Sequence, residues 1–167
     1  MQPIDDVRAI SRIAYGFIAS KALFAALDLT LFGHLQKGPG TLAALAVATG
    51  IVPQRLRTLL ASLVSLGLLT RTGYIYANGP AAARYLVPGA PAYFGDYYRY
   101  QINRQLYPAM THLDHGLAGN EAGLLFGGEE SMMANPAQAE TFSRAQHAGV
   151  NGGRNLGQRG GAKAGQW

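Results

Sequence analysis

The sequence predicts a mainly helical protein built on a winged helix-turn-helix with a small β-hairpin wing, flanked by helices on both sides. Three observations carry this. Apolar residues recur at helical spacing from Val7 to Gln36, as in Ile10, Ile13, Phe17, Phe24 and Leu31. The stretch from Gly38 to Ala77 reads helix, turn, helix and hairpin in that order. A third helical stretch, Pro91 to Gly119, is dense in tyrosine.

Each element follows from local chemistry. In the first stretch, Tyr15, Ile18, Ala22, Ala26 and Leu29 extend the apolar surface round the helix, so these helices need cover on more than one side. Part of that cover is expected from the helix-turn-helix. The rest is expected from a second copy of the chain, with the remainder of this chain as the alternative source. Ile13, Phe17, Phe24 and Leu31 are therefore the predicted dimer-interface residues.

In "GPGTLAALAVATG", Thr41 is placed to cap a short helix and Gly50 to end it. Pro53 opens a second helix with Leu56, Leu59, Leu60, Leu63, Val64 and Leu66 inward and Gly67 closing it. "LLTRTGYIYA" then reads as two strands around a turn at Thr72 and Gly73. Within Pro91–Gly119, helical spacing puts Tyr93, Tyr97 and Tyr100 on one face and Phe94 and Tyr98 on another. They are either core rings with wetted hydroxyls or the lining of a pocket for a flat aromatic molecule.

Charge and composition exclude several function classes. Among 167 residues there is no cysteine, which removes disulfides, thiolate metal sites and cysteine nucleophiles. The net charge of +5 looks like a nucleic-acid signal until it is located. Residues 1–140 hold ten Lys/Arg against nine Asp/Glu, and the remaining four cations lie in residues 141–167 without an acid.

The second helix offers Gln54, Arg55 and Arg57 and then only apolar or small residues, and the wing offers Arg71. Nucleic acid is therefore not expected as a partner, and the face that would enter a groove is expected to pack against protein. The run from Ile10 to Leu35 is broken by Arg12, Lys21 and Asp28, so no membrane span is expected. The opening "MQPIDDVRAI" lacks a cationic leader, which suggests a cytoplasmic protein.

His112 and His115 share a helix-compatible spacing but lack a third ligand, so no metal is expected. His34 suits a helix C-terminus.

The residues "ALDLTLFGHLQKGPGTLAALAVATGIVPQRLRTLLASLVSLGLLTRTGYIYANGPAAARYLV" resemble the N-terminal dimerisation domain of the S-adenosylmethionine (SAM)-dependent small-molecule O-methyltransferases. This group includes the plant phenolic, acetylserotonin and bacterial polyketide enzymes. The likeness continues through "YYRYQINRQLYPAMTHLDHGLAGN" and "NPAQAETFSRAQHAG", covering about residues 8–149.

The resemblance implies a homodimer whose winged helix pairs subunits and covers a substrate, with SAM as the cofactor of the full-length family. It makes Tyr93, Tyr97, Tyr100, Phe142 and His147 candidates for contact with a small aromatic hydroxylated molecule. The SAM site of this family lies in a Rossmann-like domain that opens on an apolar strand and a glycine-rich loop. "HAGVNGGRNLGQRGGAKAGQW" has neither that strand nor a following helix, so no Rossmann domain is expected in this chain.

No catalytic, cofactor-binding or metal-binding residue is therefore assigned. The expected domains are 1–148, a winged-helix dimerisation domain with a helical extension, and 149–167, a glycine-rich tail without core residues and expected to be disordered. The tail reads as a truncation or a shifted frame, and the chain alone is expected to be inactive. The function expected is the dimerisation and substrate-lid portion of a SAM-dependent O-methyltransferase. The alternative is a free-standing winged-helix regulator that senses a small aromatic ligand.

Overall fold

A computed structural model describes residues 3–119. The expected boundary at 148/149 and the candidates Phe142 and His147 lie outside the described residues. The described residues fall into two compact units that divide between residues 83 and 84.

The first unit begins with α1 (Val7–Ala14), α2 (Gly16–Asp28) and α3 (Leu31–Gln36). Asp6 caps α1 by accepting the Arg8 N–H at 2.9 Å. Tyr15 interrupts the run between α1 and α2. Among the described residues Val7–Asp28 is long and apolar enough to cross a bilayer by length and composition alone, at a mean hydropathy of 1.3. In the fold, α2 instead sends Phe24, Ala26 and Leu27 into the protein core. Thr30 joins α2 to α3 at φ 49°, a left-handed conformation unfavourable for a β-branched residue. It delivers Leu31, Phe32 and Leu35 to the core in the next turns.

The strand β1 (Gly40–Thr41) leads into α4 (Leu42–Thr49), α5 (Pro53–Ser65), β2 (Leu69–Thr72) and β3 (Ile75–Asn78). Thr41 Oγ1 accepts the Ala44 N–H at 3.2 Å, and Gly50 closes α4 at φ 70°, both where the sequence places them. Pro53 starts α5, and Leu56, Leu60 and Leu63 fill the centre of the unit. The helix ends on a Schellman motif: Leu68 N–H donates to the Leu63 carbonyl and Gly67 N–H to that of Val64, both at 3.0 Å, with Gly67 at φ 71°.

The hairpin turn is Gly73–Tyr74, one residue later than expected, because Thr72 pairs with Ile75. Gly73 supplies the positive φ of 59° that a type II′ turn needs at its first position. The sheet has three antiparallel strands in the order β1-β3-β2, not two. The third strand arises because the open edge of β3 takes up Gly40 and Thr41 opposite Tyr76 and Ile75. Asn78 Nδ2 donates to the Phe32 carbonyl at 2.8 Å and ties the end of β3 to α3.

The second unit starts within α6 (Pro80–Tyr85). It continues through a ten-residue π-helix (Tyr97–Leu106), α7 (Tyr107–Met110) and α8 (Leu113–Leu117). Helix does not begin at Pro91. The Phe94 N–H donates to the Tyr85 carbonyl at 2.7 Å, which holds Tyr93 and Phe94 in a loop.

Candidate functional site

Two regions carry the predicted functional residues. The first is the surface of α1 and the start of α2. In α1, Val7, Ile10 and Ile13 stand in solvent, and none of its residues is buried. Tyr15, Phe17 and Ile18 continue the exposed apolar surface into α2, and Ile4 precedes it. Arg8 and Arg12 supply polar flanks.

Of the four residues expected at an interface, Ile13 is 70% exposed and Phe17 53%. Phe24 and Leu31 are 4% and 0% exposed and belong to the chain's own core. The correction has a simple cause. From about Phe24 onward these helices have α5 and α4 beside them, whereas among the described elements α1 packs chiefly on α2. The helical period registers apolarity but not which neighbour provides the cover.

The outward face of α5 is open within the chain. Gln54, Arg55, Arg57, Thr58, Ala61 and Ser65 are exposed, so within the chain this face is wet, small and polar. Of the residues expected inward, Leu56, Leu60 and Leu63 are buried, Leu59 and Val64 are half-buried, and Leu66, which caps the helix, is 43% exposed.

The second region is the aromatic segment, where the two expected faces are not kept apart. Phe94 meets both Tyr97 and Tyr98, with ring centroids 4.8 and 5.0 Å apart, and Tyr97 and Tyr98 are 5.8 Å apart. Two features explain this: Tyr93 and Phe94 precede the helix, and the π-helix bonds i to i+5 and so alters the phase of its side chains. Tyr100 instead lies under two guanidinium groups, Arg99 at 5.4 Å and Arg104 at 5.0 Å.

The Tyr93 hydroxyl donates to Asp96 Oδ1 at 2.9 Å. Burial, with the hydrogen bond to Asp96 and that carboxylate's charge, pushes the Tyr93 hydroxyl well above the ordinary tyrosine range. Burial raises Tyr98 as well, helped by Tyr97. The Tyr93 ring folds over Gly95, where a Cβ would come within 2.5 Å of it. Spacing paired Phe94 with Tyr98, as observed, but could not find Asp96 and Gly95 as partners of this cluster. The Gly-Asp pair after two aromatics was the available signal, because a glycine admits close approach.

Residues 38–43 do not make a nucleotide loop for SAM. Gly38–Ala43 matches a nucleotide loop by letter, but β1 is two residues long and the Thr41 side chain already takes the Ala44 N–H of α4. A Cβ on Gly40 would meet Leu45 and Leu35, so that glycine serves packing and not a phosphate. His112 and His115 have ring centroids 6.3 Å apart, and among the described residues no group of three metal-ligating side chains forms.

With this geometry in place, comparison with known proteins decides the family. The model of the O-methyltransferase dimerisation domain matches residues 11–88. Residues 11–88 form an O-methyltransferase dimerisation domain.

The dimerisation domain and the segment after it are similar to the tetracenomycin polyketide synthesis 8-O-methyl transferase TcmO of Streptomyces glaucescens. Identity is 38% over 162 residues, covering 92% of this chain and 46% of that protein. The acetylserotonin O-methyltransferase of Mus musculus is 41% identical over 92 residues, covering 52% of this chain and 24% of that one. The crystal structure of human N-acetylserotonin methyltransferase in complex with SAM superposes with a TM-score of 0.78 at 28% identity. That superposition covers 90% of this chain and 48% of the human protein. The chain thus spans less than half the length of these relatives.

Proposed function

We propose that this chain is the subunit-pairing and substrate-covering part of a SAM-dependent O-methyltransferase. Its acceptor is a small aromatic hydroxylated molecule, and SAM and the reacting groups are held by the remaining half of a full-length relative. In this reading the helix-helix-hairpin of α4, α5, β2 and β3 is a winged helix put to pairing and not to DNA. The protein works in the cytoplasm, without nucleic acid or membrane.

The observation that carries the proposal is the exposed apolar run from Ile4 to Ile18, which overlaps the start of the dimerisation domain. A surface of this kind is abnormal for a monomer and usual for a homodimer. Tyr93 and the Phe94, Tyr97 and Tyr98 cluster support an aromatic acceptor, because flat rings stack on flat rings.

Light scattering tests the pairing. The chain is expected to be a dimer at micromolar concentration, and a stable monomer there would overturn the proposal. Phe17→Asp is expected to give a folded monomer, because Phe17 lies outside the chain's own core. Phe24→Asp is expected to unfold the protein, because it buries a charge there.

A further inference from the structure

Apart from the exposed apolar run and the aromatic cluster, two adjacent residues carry chemistry of their own. Asn78 is followed by Gly79, and among the described residues no other asparagine precedes a glycine. That order favours an intramolecular reaction, because glycine has no Cβ to obstruct its own backbone nitrogen as it turns towards the asparagine side chain. Gly79 N gives up its proton and attacks Asn78 Cγ, and the side-chain nitrogen leaves as ammonia. The cyclic imide so formed takes up one water at either carbonyl and opens to aspartate or isoaspartate. In isoaspartate the main chain runs through the former side-chain carbonyl.

The fold holds both reacting groups. Gly79 N–H donates to the Leu68 carbonyl at 2.9 Å, and the Gly79 carbonyl accepts the Ala83 N–H at 2.9 Å. The Gly67 and Leu68 carbonyl oxygens stand 2.7 and 3.0 Å from where a Cβ on Gly79 would be, which leaves its backbone little room to turn. Asn78 pairs with Leu69 across the sheet, and its Nδ2, the leaving nitrogen, donates to the Phe32 carbonyl at 2.8 Å. Attack therefore requires the end of β3 to come away from β2 and α3 together.

We infer that Asn78 is a latent deamidation site: shut in the folded protein, it reacts when the first unit opens and leaves that unit permanently weaker. Neither product fits the place it came from. A carboxylate at position 78 turns an oxygen towards the Phe32 carbonyl, where Nδ2 had donated, so acceptor meets acceptor. Its other oxygen takes the place of Asn78 Oδ1, which is buried without a hydrogen-bond partner among the described residues. Isoaspartate adds a carbon to the main chain of β3 at the residue paired with Leu69, which disturbs the register. Either way the tie from β3 to α3 is lost.

The test follows the full chain at neutral pH, in buffer and in urea at one temperature. Cleavage after Arg71 and Arg84 releases residues 72–84, whose single asparagine is Asn78, and mass spectrometry reads the exchange of amide for acid. Deamidation is expected in urea and is expected to be slower in buffer by at least about a hundredfold, since only molecules that open can react. Leu60→Ala weakens the core and leaves residues 72–84 unaltered. It is expected to raise the rate in buffer by roughly thirtyfold or more, the change in open population that about 2 kcal/mol brings.

The lasting damage has its own readout. Wild-type protein held in urea, refolded and unfolded again is expected to show a lower unfolding midpoint the longer it was held. Asn78→Ser, which cannot form the imide, is expected to keep its own midpoint through the same treatment. Asn78→Asp imitates one product and is expected to unfold at lower urea than wild type. Equal rates in buffer and in urea, or a rate in buffer that Leu60→Ala leaves unchanged, would show that the fold does not gate the reaction and would sink the inference. So would a wild-type midpoint that stays fixed while residues 72–84 deamidate.

Discussion

Gly79 shows how narrow the tolerance is at single residues. Its N–H donates to the Leu68 carbonyl at 2.9 Å, and a Cβ there would sit 2.7 Å from the Gly67 carbonyl oxygen and 3.0 Å from that of Leu68. These neighbours are backbone atoms that close α5 and open β2, so they cannot rotate away. Gly79→Ala is expected to destabilise the first unit by about 1–3 kcal/mol, read from the midpoint of urea unfolding.

Gly95 is the contrasting case, because the atoms its Cβ would meet belong to the Tyr93 ring, which can swing out. Gly95→Ala is expected to leave stability almost unchanged and to break the bond from Tyr93 to Asp96. The readout is the alkaline titration of tyrosine absorbance. A tyrosine whose folded pKa lies above its unfolded value of 10.0 contributes stability that is complete below pH 10 and is lost as pH rises through the folded value. Wild-type protein should therefore lose stability above pH 10 and retain a late-ionising tyrosine, whereas Tyr93→Phe and Gly95→Ala should both remove that late step. An unchanged titration in Gly95→Ala would show that the ring does not depend on the missing Cβ.

Among the elements, those with strong local signals formed where the sequence placed them. Thr41, Gly50, Pro53 and Gly67 act within three residues of their own position, by capping or by a special φ. No distant contact is needed to read them. In α5 the sequence placed Leu56, Leu60 and Leu63 correctly in the core but also Leu66, which is exposed, and Leu60→Ala is expected to cost about 2–5 kcal/mol in thermal or denaturant unfolding, since Leu60 is fully buried.

The elements that were not legible depend on distant partners. The strand β1 exists because β3 offers it an edge, and two residues carry no periodicity of their own. The π-helix likewise follows no 3.6-residue pattern, so the faces assigned to Tyr97 and Tyr100 were drawn on the wrong turn.

For the whole molecule, the proposal that SAM is held elsewhere makes a direct prediction. Isothermal titration of this chain with SAM is expected to give no heat beyond dilution. Micromolar binding would show that the chain holds its own cofactor site.

The sequence by itself determined the family of residues 11–88, the order of helices and hairpin, and the caps that bound them, because each is written in residues adjacent along the chain. It also determined that the N-terminal helices carry more apolar surface than one face needs. Which part of that surface the chain covers was decided only by tertiary structure. Phe24 and Leu31 went into the core and Ile13 and Phe17 into solvent, although all four look alike in the helical pattern. Burial is a property of what lies alongside in space, and the hydrophobic effect rewards any apolar cover equally. Period and composition can therefore say that a side chain needs cover, while only the packed fold says whether the chain itself provides it.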